Sequence, residues 1–108
     1  MRLIRGTYTG TGAALSITGV GFQPKLVIVK REDAGDPISK SDADGGANSY
    51  VWNDTAGDQT DGITSLDADG FTLGTGTSAN NSGSTYHYMA FETDTATLAT
   101  GTYTGTGA

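Results

Sequence analysis

The sequence predicts an all-β fold, a single-domain antiparallel β-sandwich of jelly-roll-like form. Three observations carry this expectation. Glycine, at seventeen of 108 residues, and threonine dominate the composition; threonine suits the pleated surface of a sheet and glycine suits its turns. No stretch keeps apolar residues at i, i+3, i+4 and i+7 over three turns, so no amphipathic helix is written into the chain. Short alternating or apolar runs recur roughly every ten residues between clusters of Gly, Asp, Asn and Ser, which reads as about seven or eight strands.

The elements follow in order. Arg2–Gly10 alternates, with Leu3, Arg5, Thr7 and Thr9 on one side and Ile4, Gly6, Tyr8 and Gly10 on the other. Ala14–Thr18 gives a short strand through Leu15 and Ile17. Lys25–Arg31 is the most hydrophobic segment, and its four consecutive aliphatics, Leu26 to Val29, read as a central strand covered on both faces. Glu32–Asn48 is polar and long for a connection, as functional loops are. Ser49–Asp54 resumes a strand, with Trp52, the one tryptophan, expected as a core anchor. Thr55–Gly62 reads as a loop, Ile63–Thr75 as a hairpin about an Asp-Ala-Asp-Gly turn, and Ser78–Ser84 as a further loop. Thr85–Glu92 is an aromatic strand. The sandwich is expected over 1–95, followed by an extended threonine- and glycine-rich segment, 96–108, that repeats 6–13.

Composition excludes several functions. A net charge of −6, with Arg2, Arg5, Lys25, Lys30, Arg31 and Lys40 scattered, offers no stripe for nucleic acid. No apolar run reaches the ~20 residues of a membrane span, and the amino-terminal apolar stretch is too short for a secretory signal. With no cysteine there is neither a disulfide nor a thiolate metal site. The tetrads Asp42–Gly45 and Asp67–Gly70 place paired carboxylates before a glycine, as calcium loops do, but lack the remaining ligands; Asp and Gly are also what turns are made of. Thr-Gly-Thr-Gly contains the G-x-G of phosphate loops without the helix those loops require. The single histidine, His87, sits in Tyr-His-Tyr with no recognisable nucleophile or orienting acid, so packing or interface duty is the expectation rather than catalysis. The aromatics Tyr50, Trp52, Tyr86, Tyr88 and Phe91 would suit either a core or a sugar-stacking platform. No catalytic residue, cofactor or metal ion is expected.

Several phrases carry a resemblance together: GTYTGTGA at 6–13, SITGVGFQPKLVIVK at 16–30, YVWND at 50–54, DGFTLGT at 69–75 and SGSTYHYMAF at 82–91. Their order resembles a β-rich module of tailed-bacteriophage virion structural proteins, often repeated in tandem in tail-fibre-like or decoration-type surface proteins. There the pattern looks like G-T-Y-T-G-N-G, G-F-Q-P-D-L-V, a tryptophan strand, D-G-F-T-V-G and Y-V-Y-W-A-F. Lys25 in place of an acid, Met89 in place of an aromatic, and the loop 32–48 depart from it. The resemblance implies an assembly role on the virion surface after synthesis in the host cytoplasm, and a single bare module without shaft or coiled coil leads us to expect a capsid decoration (cement) or head-fibre subunit that contacts capsid or tail proteins and forms a homo-oligomer. A tail-tip or tail-fibre domain binding host glycan is the alternative; an enzyme acting on polysaccharide is a formal third.

The octapeptide at 6–13 returns at 101–108, as the opening of a second tandem module or the relic of a duplication, or as a strand offered to a neighbouring subunit. Contacts with partners are expected from exposed charged and polar groups: Arg2 and Arg5 near the amino end; Asp33, Asp36, Lys40, Asp42 and Asp44 in the long loop; and Tyr103 in the repeat.

Overall fold

The structure, a computed structural model, describes residues 1–53, 58–93 and 97–108. It is an all-β sandwich with every strand pair antiparallel. The strands divide unevenly. The larger sheet has the order β1 (Leu3–Thr9), β9 (Thr85–Glu92), β3 (Pro24–Arg31), β4 (Ile38–Ser41), β5 (Ser49–Val51) and β6 (Asp58–Gln59). The smaller has β2 (Leu15–Ile17), β8 (Gly70–Leu73) and β7 (Ile63–Asp67). One short helix, α1 (Thr77–Asn80), precedes β9.

Alternation decides what is buried. Because successive side chains point to opposite faces, the register places Gly6, Tyr88, Val29, Ile38 and Val51 in one row on the inner face of the larger sheet. A neighbouring row holds Ile4, Ala90, Val27 and Lys40. These rows meet Ile63, Phe71 and Leu73 of the smaller sheet, and Val27, Val29, Ile38, Ile63, Phe71 and Leu73 are fully buried. Each large aliphatic or aromatic side chain so covered contributes about 1.5–3 kcal/mol by leaving water. At one end Tyr8 stacks on Tyr86 at 5.1 Å and meets Phe71 edge-on at 6.4 Å. Burial, with Tyr86 beside it, raises the Tyr8 hydroxyl well above its ordinary pKa, so it stays a donor, to the Ala79 carbonyl at 2.6 Å.

Four sequence expectations change. Leu26 to Val29 is covered fully on one face only: Val27 and Val29 are buried, whereas Leu26 and Ile28 on the other face are half-exposed. The smaller sheet lies over one side of the larger, and among the described residues no second sheet lies over the other. Trp52 is not a core anchor. It falls just past β5, 54% exposed, and its indole N–H donates to Ser39 Oγ at 2.8 Å. The long loop 32–48 contains β4, whose polar Ile-Ser-Lys-Ser sequence hides a real strand. The loops expected at 55–62 and 78–84 contain β6 and part of α1. Asp54, the start of the loop after it, and the boundary expected at 95/96 lie outside the described residues.

The two Asp-Ala-Asp-Gly tetrads are turns, and one carboxylate of each is taken up locally. Asp67 accepts from the hydroxyls of Ser65 (2.7 Å) and Thr72 (2.6 Å). Asp44 Oδ2 accepts the Ser41 N–H at 2.9 Å. Asp69 reaches farther: its two oxygens accept the N–H groups of Gly21 (2.7 Å) and Gly19 (3.0 Å), tying the β7–β8 turn to the chain entering β3. Those two donors, Gly21 foremost, hold the Asp69 carboxyl below its ordinary value of 3.8. A depressed carboxylate stabilises the fold above its unfolded pKa and loses that contribution as pH falls through the folded one. We therefore expect the melting temperature to drop more steeply for the native chain than for Asp69→Asn between about pH 5 and pH 2. Parallel acid limbs in a thermal-melt series would contradict this.

Candidate interaction face

The outer face of the larger sheet gathers the residues that alternation turns away from the core. One row crosses all six strands: Arg5, Met89, Ile28, Ser39, Tyr50 and Asp58. Beside it run Leu3, Phe91, Leu26 and Ser41 on one flank and Thr7, His87 and Lys30 on the other. Leu3 (48%), Met89 (36%) and Tyr50 (45%) are exposed, and Leu26, Ile28 and Phe91 are half-exposed. With Trp52 lying over Ser39 at the β5 end, this makes an apolar swath with charged residues at its ends. Exposed apolar residues grouped in this way are a candidate surface for contact with another molecule.

Two hollows indent it. One, of about 930 Å³, is walled by Leu26, Tyr50, Trp52, Asp44 and Asp58, with residues 99–103 along one side. The other, of about 480 Å³, lies over Ile28, Met89 and Tyr88 between Arg5 and His87. His87 Nε2 is 2.9 Å from Glu32 Oε1 at the surface. The aromatic group named from sequence splits across the sheet: Tyr86 is buried and Tyr88 half-buried on the inner face, while Tyr50, Trp52 and Phe91 face outward.

The charged residues expected to make contacts do not form one patch. Lys40 is the clearest correction. It is on the inner face, 3% exposed, and its ammonium donates to the carbonyls of Asn48 (2.6 Å), Gly46 (2.8 Å) and Asp44 (3.1 Å). Burial lowers its pKa and nearby Asp44 opposes the shift. β4 runs through the middle of the expected loop, so Asp33 and Asp36 lie in the connection before it and Asp42 and Asp44 in the connection after it. Most of them have local partners. Asp33 accepts from Arg31 Nε at 2.7 Å, which depresses its pKa; Asp36 accepts from Asn53 at 2.9 Å; Asp42 accepts from the Thr100 hydroxyl and lies 3.7 Å from Lys25 Nζ. Arg2 grips Glu92 through Nε (2.8 Å) and Nη2 (2.5 Å) and stands 5.0 Å over the Phe22 ring. Arg5 and Tyr103 alone of the eight make no side-chain hydrogen bond or ion pair among the described residues, and Tyr103 is 95% exposed.

The residues missed by sequence reasoning are the outward aliphatic ones and a methionine, Leu3, Leu26, Ile28 and Met89. Their signal was present. Segments 26–29 and 89–91 are apolar in both parities, more than a sandwich of this size covers on two faces.

Residues 4–106 match the family model described as Domain of unknown function (DUF7483). The chain belongs to that family. The match takes in β1 from Ile4 onward, every later strand of the sandwich and most of the second octapeptide. No curated protein and no solved structure matches the chain. Among the described residues no helix is long and apolar enough to cross a membrane, and no group of three or more His, Cys, Asp or Glu side chains is placed to hold a metal ion.

Proposed function

We propose that this protein is a structural subunit of a tailed-phage virion, a capsid decoration or head-fibre component that works by docking on other proteins rather than by chemistry. The observation that supports the reading is the outward apolar swath about Met89 and Ile28, a surface suited to lie against a repeated protein lattice, where avidity multiplies modest contacts. The motif order noted in the sequence supplies the virion setting. Met89→Glu tests it, because Met89 is exposed and its loss leaves the core intact. Occupancy on purified particles is expected to fall about ten-fold or more, the cost of a charge in a desolvated contact centre, with the melting temperature little changed. Undiminished occupancy would count against the reading.

A second reading has its own support. Trp52 and Tyr50 wall a groove that also presents Asp44, Asp58 and Asn48, stacking surface plus hydrogen-bonding groups in the combination that sugar recognition uses. For an adhesion domain, Trp52→Ala removes binding on a glycan array while Met89→Glu does not; for a decoration protein the pattern reverses.

A further inference from the structure

Gly6–Ala13 and Gly101–Ala108 are spelled alike, yet only the first copy is built into the sheet, and its seat is selective. A Cβ on Gly10 would stand 2.2 Å from the Asn81 carbonyl oxygen, which is backbone and cannot turn aside, and one on Gly6 would stand 2.5 Å from the Tyr88 ring, which would have to shift. Between them Tyr8 fills the slot formed by Tyr86, Phe71 and the Ala79 carbonyl. The Thr11 N–H reaches Asn80 Oδ1 at 2.8 Å. Gly12 turns with φ +74° and gives its N–H to the Asn80 carbonyl at 3.0 Å. The seat thus favours Gly-x-Tyr-x-Gly-x-Gly.

The second copy meets each demand with Gly101, Tyr103, Gly105 and Gly107. It lies in no strand, and all of residues 101–108 are exposed. Gly107 already holds φ +76°, matching Gly12. Upstream, Leu98 stands where Leu3 stands, but Ala99 and Thr100 differ from Ile4 and Arg5. A segment that satisfies a selective seat and occupies none has a natural destination.

We infer that residues 101–108 are a donor strand for a second copy of this chain, entering that molecule's β1 seat beside β9 in place of its own residues 6–13. Exchanging identical letters leaves the local contacts unchanged, so the balance turns on the flanks and on tethering. The resident copy keeps Arg2 on Glu92 and the advantage of intramolecular closure; the donor gains from concentration. Exchange therefore grows with protein concentration and closes as a ring or continues head to tail. This concerns how copies of the chain join and stands apart from the outward apolar face, so either can fail alone.

The register supplies the test. Thr7 pairs with His87, so a donated Thr102 faces His87 of the receiving molecule. Full-length Thr102→Cys chain is mixed with full-length His87→Cys chain under oxidised glutathione, and linked species are identified by peptide mapping. Both positions are exposed, and Thr7→Cys/His87→Cys within one chain serves as the positive control. The inference requires a 102–87 heterodimer whose yield rises with concentration and exceeds the 102–102 and 87–87 products. Adding Tyr103→Ala to the donor chain, which disturbs no packed residue, cuts that yield about ten-fold, as loss of an anchoring aromatic does. A 102–87 yield no higher than the like-with-like products while the control closes, or one indifferent to Tyr103→Ala, overturns it.

Discussion

Asn80→Asp is expected to destabilise the protein by about 3 kcal/mol or more, although it exchanges a single NH₂ for an oxygen. Asn80 has no exposed surface. Its amide nitrogen donates to the carbonyls of Ala13 (2.6 Å) and Gly74 (2.8 Å), while its amide oxygen accepts the Thr11 N–H. One side chain thus joins the end of the first octapeptide, the exit of β8 and the short helix α1. A carboxylate in its place would aim negative charge at two carbonyl oxygens without water to screen it, and protonation would restore only one of the two lost donors. Asn80→Ala is expected to cost less, about 1–3 kcal/mol, because it leaves groups unpaired without adding charge. Urea denaturation at neutral pH reads the order. An Asp variant at least as stable as the Ala variant would refute the assignment of Asn80 as a buried two-way clasp.

Gly70→Ala is the second large effect. β2 crosses β8 so closely that a Cβ on Gly70 would lie 1.8 Å from the Ile17 carbonyl oxygen. That neighbour is backbone, which cannot rotate aside, so β2 must separate from β8 where Ile17 pairs with Phe71. We expect a loss of about 3 kcal/mol, at the upper end of overpacking costs. Gly45→Ala is the control, since a Cβ there meets nothing within 4 Å; its effect is expected within about 0.5 kcal/mol. Equal denaturation midpoints for the two variants would show that β2 yields more easily than its contacts imply.

The sequence carried the sandwich through its strongest periodicities. β1, β3 and β9 were legible because alternation and aromatic content agree there, and they make the centre and one edge of the larger sheet. β4 was not legible. In Ile-Ser-Lys-Ser only Ile38 resembles a core residue, and the inward Lys40 is tolerable only because three loop carbonyls, invisible in the sequence, converge on its ammonium. Trp52 misled for the opposite reason: its hydrophobic bulk argued for burial, but the strand ends one residue earlier and Ser39 offers its N–H a partner on the outside. The candidate face was half-written. Parity in 26–29 and 89–91 shows apolar residues on both sides of the sheet, but which side the smaller sheet would cover depends on pairings between residues far apart in the chain. Charged loop residues, chosen because they are polar, proved mostly occupied with partners elsewhere in the fold, Arg31, Asn53, Thr100, Lys25 and Ser41 among them.

The position of Lys40 has one more consequence. Its ammonium stands where the carbonyls of residues 44, 46 and 48 point inward, much as a captured ion would, except that this cation arrives covalently attached to the strand it serves. A turn organised from within in this way is held by a side chain of β4, the strand that pairs with β3. Its shape does not wait on whatever dissolved salts the surroundings happen to supply.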